Sequence, residues 1–155
     1  MATWALAAVR LGWRRAALVA LATTILPVPA APPASQCPQP RFTGKAPDDY
    51  YSRTNPLQSD AGNLGAGEDL YLGKFSGSGC AICHGGRGEG NGPLANQFSP
   101  PPRNFACAKT VNDIPDGQLF WIIRFGSPGT SMPSHPKLTD EQIWQLVLHL
   151  RRLAK

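Results

Sequence analysis

The chain has 155 residues, with fifteen basic and ten acidic side chains and a formal net charge of +5. Its length allows one domain with an appended tail. Three of the fifteen basic residues lie within residues 1–30, which leaves a net charge of +2 for the remainder. This near-neutral balance gives no support to a nucleic-acid-binding surface.

Residues 1–30 have the pattern of a secretory signal peptide. Three arginines precede an uncharged apolar run at 16–26, and Val28-Pro29-Ala30 resembles a cleavage site. The run is shorter than the roughly 20 residues that span a bilayer. We therefore predict export to the periplasm. The alternative is that the segment stays uncleaved and anchors the protein to the membrane.

Residues 31–62 are rich in Pro, Ser, Gln and Asp and have no sustained periodicity. They predict an extended arm, either a tether or a strap, ahead of a domain at 63–155. Cys37 in this arm and Cys107 lie outside any close-spaced motif, and in an oxidising compartment we predict that they form a disulfide. The alternatives are a lipid on Cys37 and two buried free thiols.

The first predicted helix lies between Gly65 and Phe75. Gly67 and Tyr71 are four residues apart and share a face, where the glycine would let another helix approach closely. Gly73 and the following Gly/Ser run are expected to end the helix. Residues 85–115 are rich in Gly and Pro and predict loops around a short helical turn near 94–98.

Two more helices are predicted after these loops. Asp116 is expected to cap a helix that runs to Gly126, with most of its apolar side chains buried, including Phe125. Thr139-Asp140-Glu141-Gln142 forms a capping box at the start of the last helix. The apolar stripe of that helix predicts a solvent-exposed opposite face with Gln145, His149 and Arg152. No strand pattern of comparable strength occurs, so the domain is predicted to be mostly α-helical.

The pentapeptide Cys80-Ala81-Ile82-Cys83-His84 is the attachment motif of a covalent c-type haem. Each thiol can form a thioether with the haem, and the adjacent imidazole can bind the iron. The alternatives are a redox dithiol, a structural disulfide and a zinc site that includes the other two cysteines. A dithiol would need a βαβ context, which is missing, and the export signal favours haem.

The sixth ligand of the iron must come from elsewhere in the chain. Met132 is the only methionine after the signal segment, and it lies in a loop shaped by Pro and Gly residues. A preformed loop can hold a thioether on the iron with little flexibility to lose. His135 is the alternative ligand, and water or a vacant position is the other. We predict Met132.

Several segments together resemble the monohaem bacterial class I cytochromes c. The resemblance implies a small helical fold with N- and C-terminal helices packed around one covalent haem and a loop-rich middle. It covers roughly residues 64–153 and rests on Cys80–Gly85, Gly92-Pro93-Leu94, Pro100-Pro101-Pro102, Asp116–Trp121, Pro128–Pro133 and the last helix.

The resemblance also implies roles for residues around the haem. Pro93 would offer its carbonyl to the Nδ1–H of His84. Arg103, Asn104 and Trp121 would meet the haem propionates. The helix with Gly67 and Tyr71 would pack against Trp144, Val147 or Leu148 of the last helix. The stretch between Tyr71 and Cys80 is longer than the family usually has.

The predicted function is periplasmic electron transfer between redox proteins, one electron for each Fe(II)/Fe(III) cycle, with no catalytic residues. One alternative is the electron-transfer subunit of a periplasmic oxidoreductase complex, with the arm strapped to a catalytic partner. The other is a haem enzyme or gas sensor in which Met132 is displaced. The donor and the acceptor are not encoded in any motif.

Overall fold

The computed structural model describes residues 1, 36–40, 43–74 and 79–155. These residues form helices and loops without a strand, as predicted. The six α-helices are α1 (Asp48–Tyr51), α2 (Ala61–Leu72), α3 (Ala81–His84), α4 (Ala108–Val111), α5 (Asp116–Phe125) and α6 (Asp140–Leu153). A 3-10 turn, Ala95–Gln97, follows α3 and confirms the short helical turn expected near 94–98.

Two sequence predictions concern residues that the structure does not describe. Apart from Met1, the predicted signal segment lies outside the described residues, and so does Phe75. Among the helices that the described residues form, none has the length and apolar character needed to cross a bilayer.

Local sequence signals set the ends of α2 and α6. Gly73 adopts the left-handed conformation at φ 77° and ends α2, as predicted. At the start of α6 the capping box is confirmed. The Gln142 backbone N–H donates to Thr139 Oγ1 at 3.2 Å, and the Thr139 N–H donates to Gln142 Oε1 at 2.9 Å.

Helices α2 and α6 touch at Gly67, where the absent side chain lets the two backbones meet. A Cβ built on Gly67 would lie 2.1 Å from the carbonyl oxygen of Gln145 and 3.2 Å from the Cβ of His149. The prediction that Gly67 faces another helix is confirmed. Its contact falls on Gln145 and His149, one residue away from the expected partners.

Replacing Gly67 by alanine should lower the free energy of unfolding by about 2–3 kcal/mol, because the new methyl group must push two helix backbones apart. Gly65→Ala is the matched control in the same helix, since a Cβ there meets nothing within 4 Å. That change should raise stability by about 0.5–1 kcal/mol through helix propensity. Urea unfolding measures the free energy of unfolding of both variants. Equal values would contradict the close contact between α2 and α6 at Gly67.

Arg152 is exposed, as predicted for its face of α6, and Gln145 is half-buried. The prediction that His149 is exposed on the same face was wrong, because α2 packs over it. His149 is 2% exposed. Its ring centroid lies 4.9 Å from that of Tyr71, and its Nδ1 lies 3.2 Å from a guanidinium nitrogen of Arg152. Its Nε2 has no hydrogen-bond partner. The apolar stripe of α6 faces the core, while Gly67 brings α2 over the neighbouring polar face.

Burial lowers the pKa of His149 below its ordinary value of 6.5. His149 therefore binds a proton in the unfolded chain at a pH where it does not in the folded chain. The contribution of His149 to the free energy of unfolding thus decreases as the pH falls through 6.5. His149→Phe keeps the ring contact with Tyr71 and removes the unpartnered nitrogen. We expect unfolding free energy to rise by about 1 kcal/mol at neutral pH and to decline less in acid. Urea unfolding at about pH 7.5 and 5 tests this; an unchanged pH dependence would contradict a buried neutral imidazole.

The start of α5 differs from the prediction. Pro115, not Asp116, occupies the N-cap position, and Asp116 is the first helical residue. Its carboxylate accepts hydrogen bonds from Nε and Nη2 of Arg151 on α6, at 2.9 and 2.7 Å. This ion pair joins the two helices, which explains why the carboxylate is not available as a cap. Phe125 at the other end is 49% exposed, although it was expected to be buried.

The described part of the arm is a strap along its own domain. Cys37 and Cys107 lie at disulfide distance, with Cα atoms 5.7 Å apart, as predicted. Further along, a Cβ on Gly117 of α5 would lie 1.8 Å from the carbonyl oxygen of Tyr50 in α1, so the strap lies directly on that glycine. The buried Gln118 side chain accepts from the Ala46 N–H at 2.7 Å. Helix α2 then begins at Ala61, two residues before the predicted domain start.

Candidate cofactor site

Helix α3 brings the side chains of the Cys80–His84 motif to one place. The His84 N–H donates to the Cys80 carbonyl at 2.9 Å, which closes one helical turn and places the two residues on the same face. The following loop folds back beneath this turn, where the Gly92 N–H donates to the Cys83 carbonyl at 3.1 Å. A Cβ on Gly92 would lie 2.5 Å from the Ile82 carbonyl oxygen, so only glycine allows this approach.

Tyr71 links α2 to this turn. Its buried hydroxyl donates to the carbonyl oxygen of Gly85 at 2.7 Å. Burial raises the pKa of Tyr71, so the phenol keeps its proton and remains a donor. The predicted face of α2 therefore has two functions, because Gly67 admits α6 and Tyr71 fixes the end of α3.

His84 is arranged as a metal ligand. Its ring is buried and its Nδ1 lies 2.9 Å from the carbonyl oxygen of Arg103. A carbonyl can only accept, so Nδ1 carries the proton and Nε2 is left with a free lone pair. Burial lowers the pKa of His84 to about 4, which keeps the imidazole neutral at neutral pH. Phe105 stacks on the ring at a centroid distance of 4.5 Å.

The carbonyl that accepts from His84 Nδ1–H belongs to Arg103 and not, as was predicted from the resemblance, to Pro93. Pro93 is exposed, because the glycine loop beneath α3 carries it outward. The segment with Arg103 runs back beside the imidazole and supplies the carbonyl in its place. No sequence signal marked it, since a backbone acceptor depends on the path of the chain and not on side-chain identity.

The three residues expected near the propionates behave differently. Asn104 is buried, and its Oδ1 accepts from the Ala106 N–H at 3.0 Å. Arg103 lines the cavity next to His84, and its guanidinium donates to the carbonyl oxygens of Gln39 and Pro40 at 3.4 and 3.3 Å. Trp121 is half-buried on α5 and packs towards Phe125 at a ring distance of 6.1 Å. It is not part of the cavity wall, because its neighbours Ile122 and Ile123 are the residues of α5 that face inward.

A cavity of about 230 Å³ lies against α3. Packed protein interiors contain few voids larger than a water molecule, so a cavity of this size indicates a place for a large ligand. Cys80, Cys83, His84 and Met132 all line it. The rest of its wall is mainly apolar and includes Pro100, Pro101, Pro102, Phe105, Leu119, Ile122, Ile123, Leu146 and Leu150.

The loop that carries Met132 is held by its own hydrogen bonds. It begins at Gly126, which has φ 83° and ends α5. The Ser127 N–H donates to the Met132 carbonyl, and the Met132 N–H donates to Thr130 Oγ1, both at 3.2 Å. The thioether is thus presented to the cavity from a fixed backbone. His135 lines the same cavity, and its partial burial lowers its pKa.

The residues at the cavity fit a covalent haem. Two free thiols for thioether bonds, an imidazole with a lone pair on Nε2 and a thioether sulfur line one apolar cavity. Burial raises the pKa of the Cys80 thiol to about 11. The zinc alternative has less support, because Cys37 and Cys107 pair with each other. Within the described residues, no three His, Cys, Asp or Glu side chains are grouped as metal-ion ligands.

Comparisons with known proteins bear on the fold and the family of the chain. No curated protein matches the chain. A chain of the Kuenenia stuttgartiensis reducing HAO-like protein complex Kustc0457/Kustc0458 is similar in structure, with 27% sequence identity and a TM-score of 0.55. The match covers 64% of this chain and 47% of that one, so this chain spans about half of that neighbour's length.

The family model described as Cytochrome c matches residues 66–154, from within α2 to the end of α6. This match spans more than half of the chain. It confirms the resemblance to class I c-type cytochromes, and with it a domain for haem-based electron transfer with covalently bound haem c. The chain therefore belongs to the cytochrome c family.

Proposed function

We propose that this protein carries single electrons between redox partners in the periplasm. One haem would be attached to Cys80 and Cys83, with His84 and Met132 as the axial ligands of its iron. The observation that carries the proposal is that these four side chains line one apolar cavity.

The chain's own residues account for the properties that a carrier needs. When bound, the haem supplies an iron that alternates between Fe(II) and Fe(III). The Arg103 carbonyl fixes the tautomer and orientation of His84. Met132 supplies a thioether, a ligand that raises the reduction potential. The apolar wall keeps water away, and two protein ligands leave no open position for a substrate.

A second candidate is the electron-transfer subunit of an oxidoreductase complex. It is favoured by the similar Kuenenia chain, which belongs to a complex named for two components. The described part of the arm lies on its own domain, so contacts with a catalytic partner would come from other surfaces.

The test is purification of the exported holoprotein without detergent, followed by an optical redox titration. We expect one reversible one-electron transition and no change in the reduced spectrum on adding carbon monoxide at neutral pH. Binding of carbon monoxide would contradict a closed site and favour a haem enzyme or gas sensor. Co-purification of a stable redox partner would favour the subunit. Recovery only in membranes would point to an uncleaved anchor.

A further inference from the structure

We propose that Gln39 in the disulfide-tethered arm is a positioning residue for the iron ligand His84. It holds the peptide group whose carbonyl accepts from the imidazole, and in this way influences the donor strength of the ligand. This inference rests on the proposed function, because it concerns His84 as an axial ligand.

The side-chain amide of Gln39 forms hydrogen bonds with the backbone on both sides of Arg103. Its Oε1 accepts from the Asn104 N–H at 2.6 Å, and its Nε2 donates to the Pro102 carbonyl at 3.4 Å. The Asn104 N–H and the Arg103 carbonyl belong to one planar trans peptide, in which they point in opposite directions. Gln39 therefore holds one edge of this peptide while His84 Nδ1–H donates to the other edge, at 2.9 Å.

Covalent and polar contacts hold Gln39 itself in place. Its backbone N–H donates to Thr110 Oγ1 at 3.1 Å, and Thr110 is a buried residue of α4. Two residues earlier, Cys37 joins the arm to Cys107, which directly precedes α4. The arm and α4 thus form a support on which the Gln39 side chain is fixed against residues 102–104.

The support has an electronic consequence for His84. Linked hydrogen bonds strengthen one another, because each polarises the group that makes the next. A peptide whose N–H is hydrogen-bonded therefore has a carbonyl that is a stronger acceptor than the carbonyl of a peptide whose N–H is not. A stronger acceptor at Nδ1–H makes the imidazole a better donor and favours Fe(III). Loss of the Gln39 amide should therefore weaken this bond and move the equilibrium towards Fe(II).

The test compares Gln39→Leu with Gln36→Leu, the same substitution at an exposed position of the arm. Two readouts on the holoprotein are needed, the midpoint potential and the solvent exchange of the His84 Nδ1 proton by NMR. We expect Gln39→Leu to raise the potential, with an equilibrium shift of up to about tenfold, or about 59 mV for one electron. Exchange of the proton should become faster. Gln36→Leu should change neither readout.

Gln39→Glu should retain slow exchange, because a carboxylate oxygen can still accept from Asn104. Gln39→Ala makes the same test as the leucine variant with a smaller side chain, should the latter fail to accumulate. A normal wild-type titration with unchanged potential and exchange in the leucine or alanine variant would overturn this inference alone. Absence of a covalent haem in the wild-type protein would overturn the proposed function as well.

Discussion

Replacement of Met132 by alanine should lower the midpoint potential by on the order of 100 mV or more, because axial ligands set haem potentials over a range of roughly 0.8 V. The oxidised protein should also lose the weak absorption band at the red edge of the spectrum that Met-ligated cytochromes show. Met132 is the only thioether at the cavity wall, and its loop holds it there through Ser127 and Thr130.

The control for this variant is His135→Ala. His135 lines the same cavity and is the alternative ligand. If Met132 binds the iron, the His135 variant keeps both the band and the potential, and only the Met132 variant becomes able to bind carbon monoxide when reduced. The reverse pattern would assign the sixth position to His135 and contradict our proposal.

The double variant Cys80→Ser, Cys83→Ser should lose haem staining after denaturing electrophoresis, since serine cannot form a thioether with the haem. We also expect it to accumulate poorly. Without haem, the mainly apolar cavity of about 230 Å³ stays unfilled, which costs up to about 5.5 kcal/mol at roughly 24 cal/mol per Å³. That cost is comparable to the whole stability of a small domain.

Ala81→Ser is the matched control, because it introduces the same side chain within the motif and retains both thiols. It should keep haem staining and normal accumulation. Staining in the double variant would show that the haem is attached elsewhere, whereas normal folding without haem would contradict the structural role of the cofactor.

The features that were predicted correctly depend on residues close together in the chain. The capping box at Thr139 and the helix end at Gly73 involve partners within a few residues. The haem-binding roles of Cys80–His84 and Met132 stay predictions, but local sequence alone located these residues, and the structure places them at one cavity. These features were accessible because covalent geometry and local hydrogen bonds determine them.

The features that were missed depend on distant partners. Asp116 would be a reasonable cap if Arg151, 35 residues later, did not bind its carboxylate. His149 is buried because Gly67 brings α2 close. The carbonyl that orients His84 belongs to Arg103, although Pro93 is much nearer in sequence.

The arm shows the same limit on a larger scale. It has no periodicity, so its composition predicted only an extended segment. Its path is set by two contacts with α5, between Tyr50 and Gly117 and between Ala46 and Gln118. Ala46 and Gln118 are 72 residues apart in the sequence. A strap of this kind is specified by the surface that receives it.

The central claim is a single covalent haem on Cys80 and Cys83, and the most direct test is the intact mass of the exported, denatured protein with sequencing of the modified peptide. We predict the mass of the mature chain plus one haem, carried by the peptide that contains both cysteines. A chain without haem, with more than one haem, or with haem on another peptide would contradict the account.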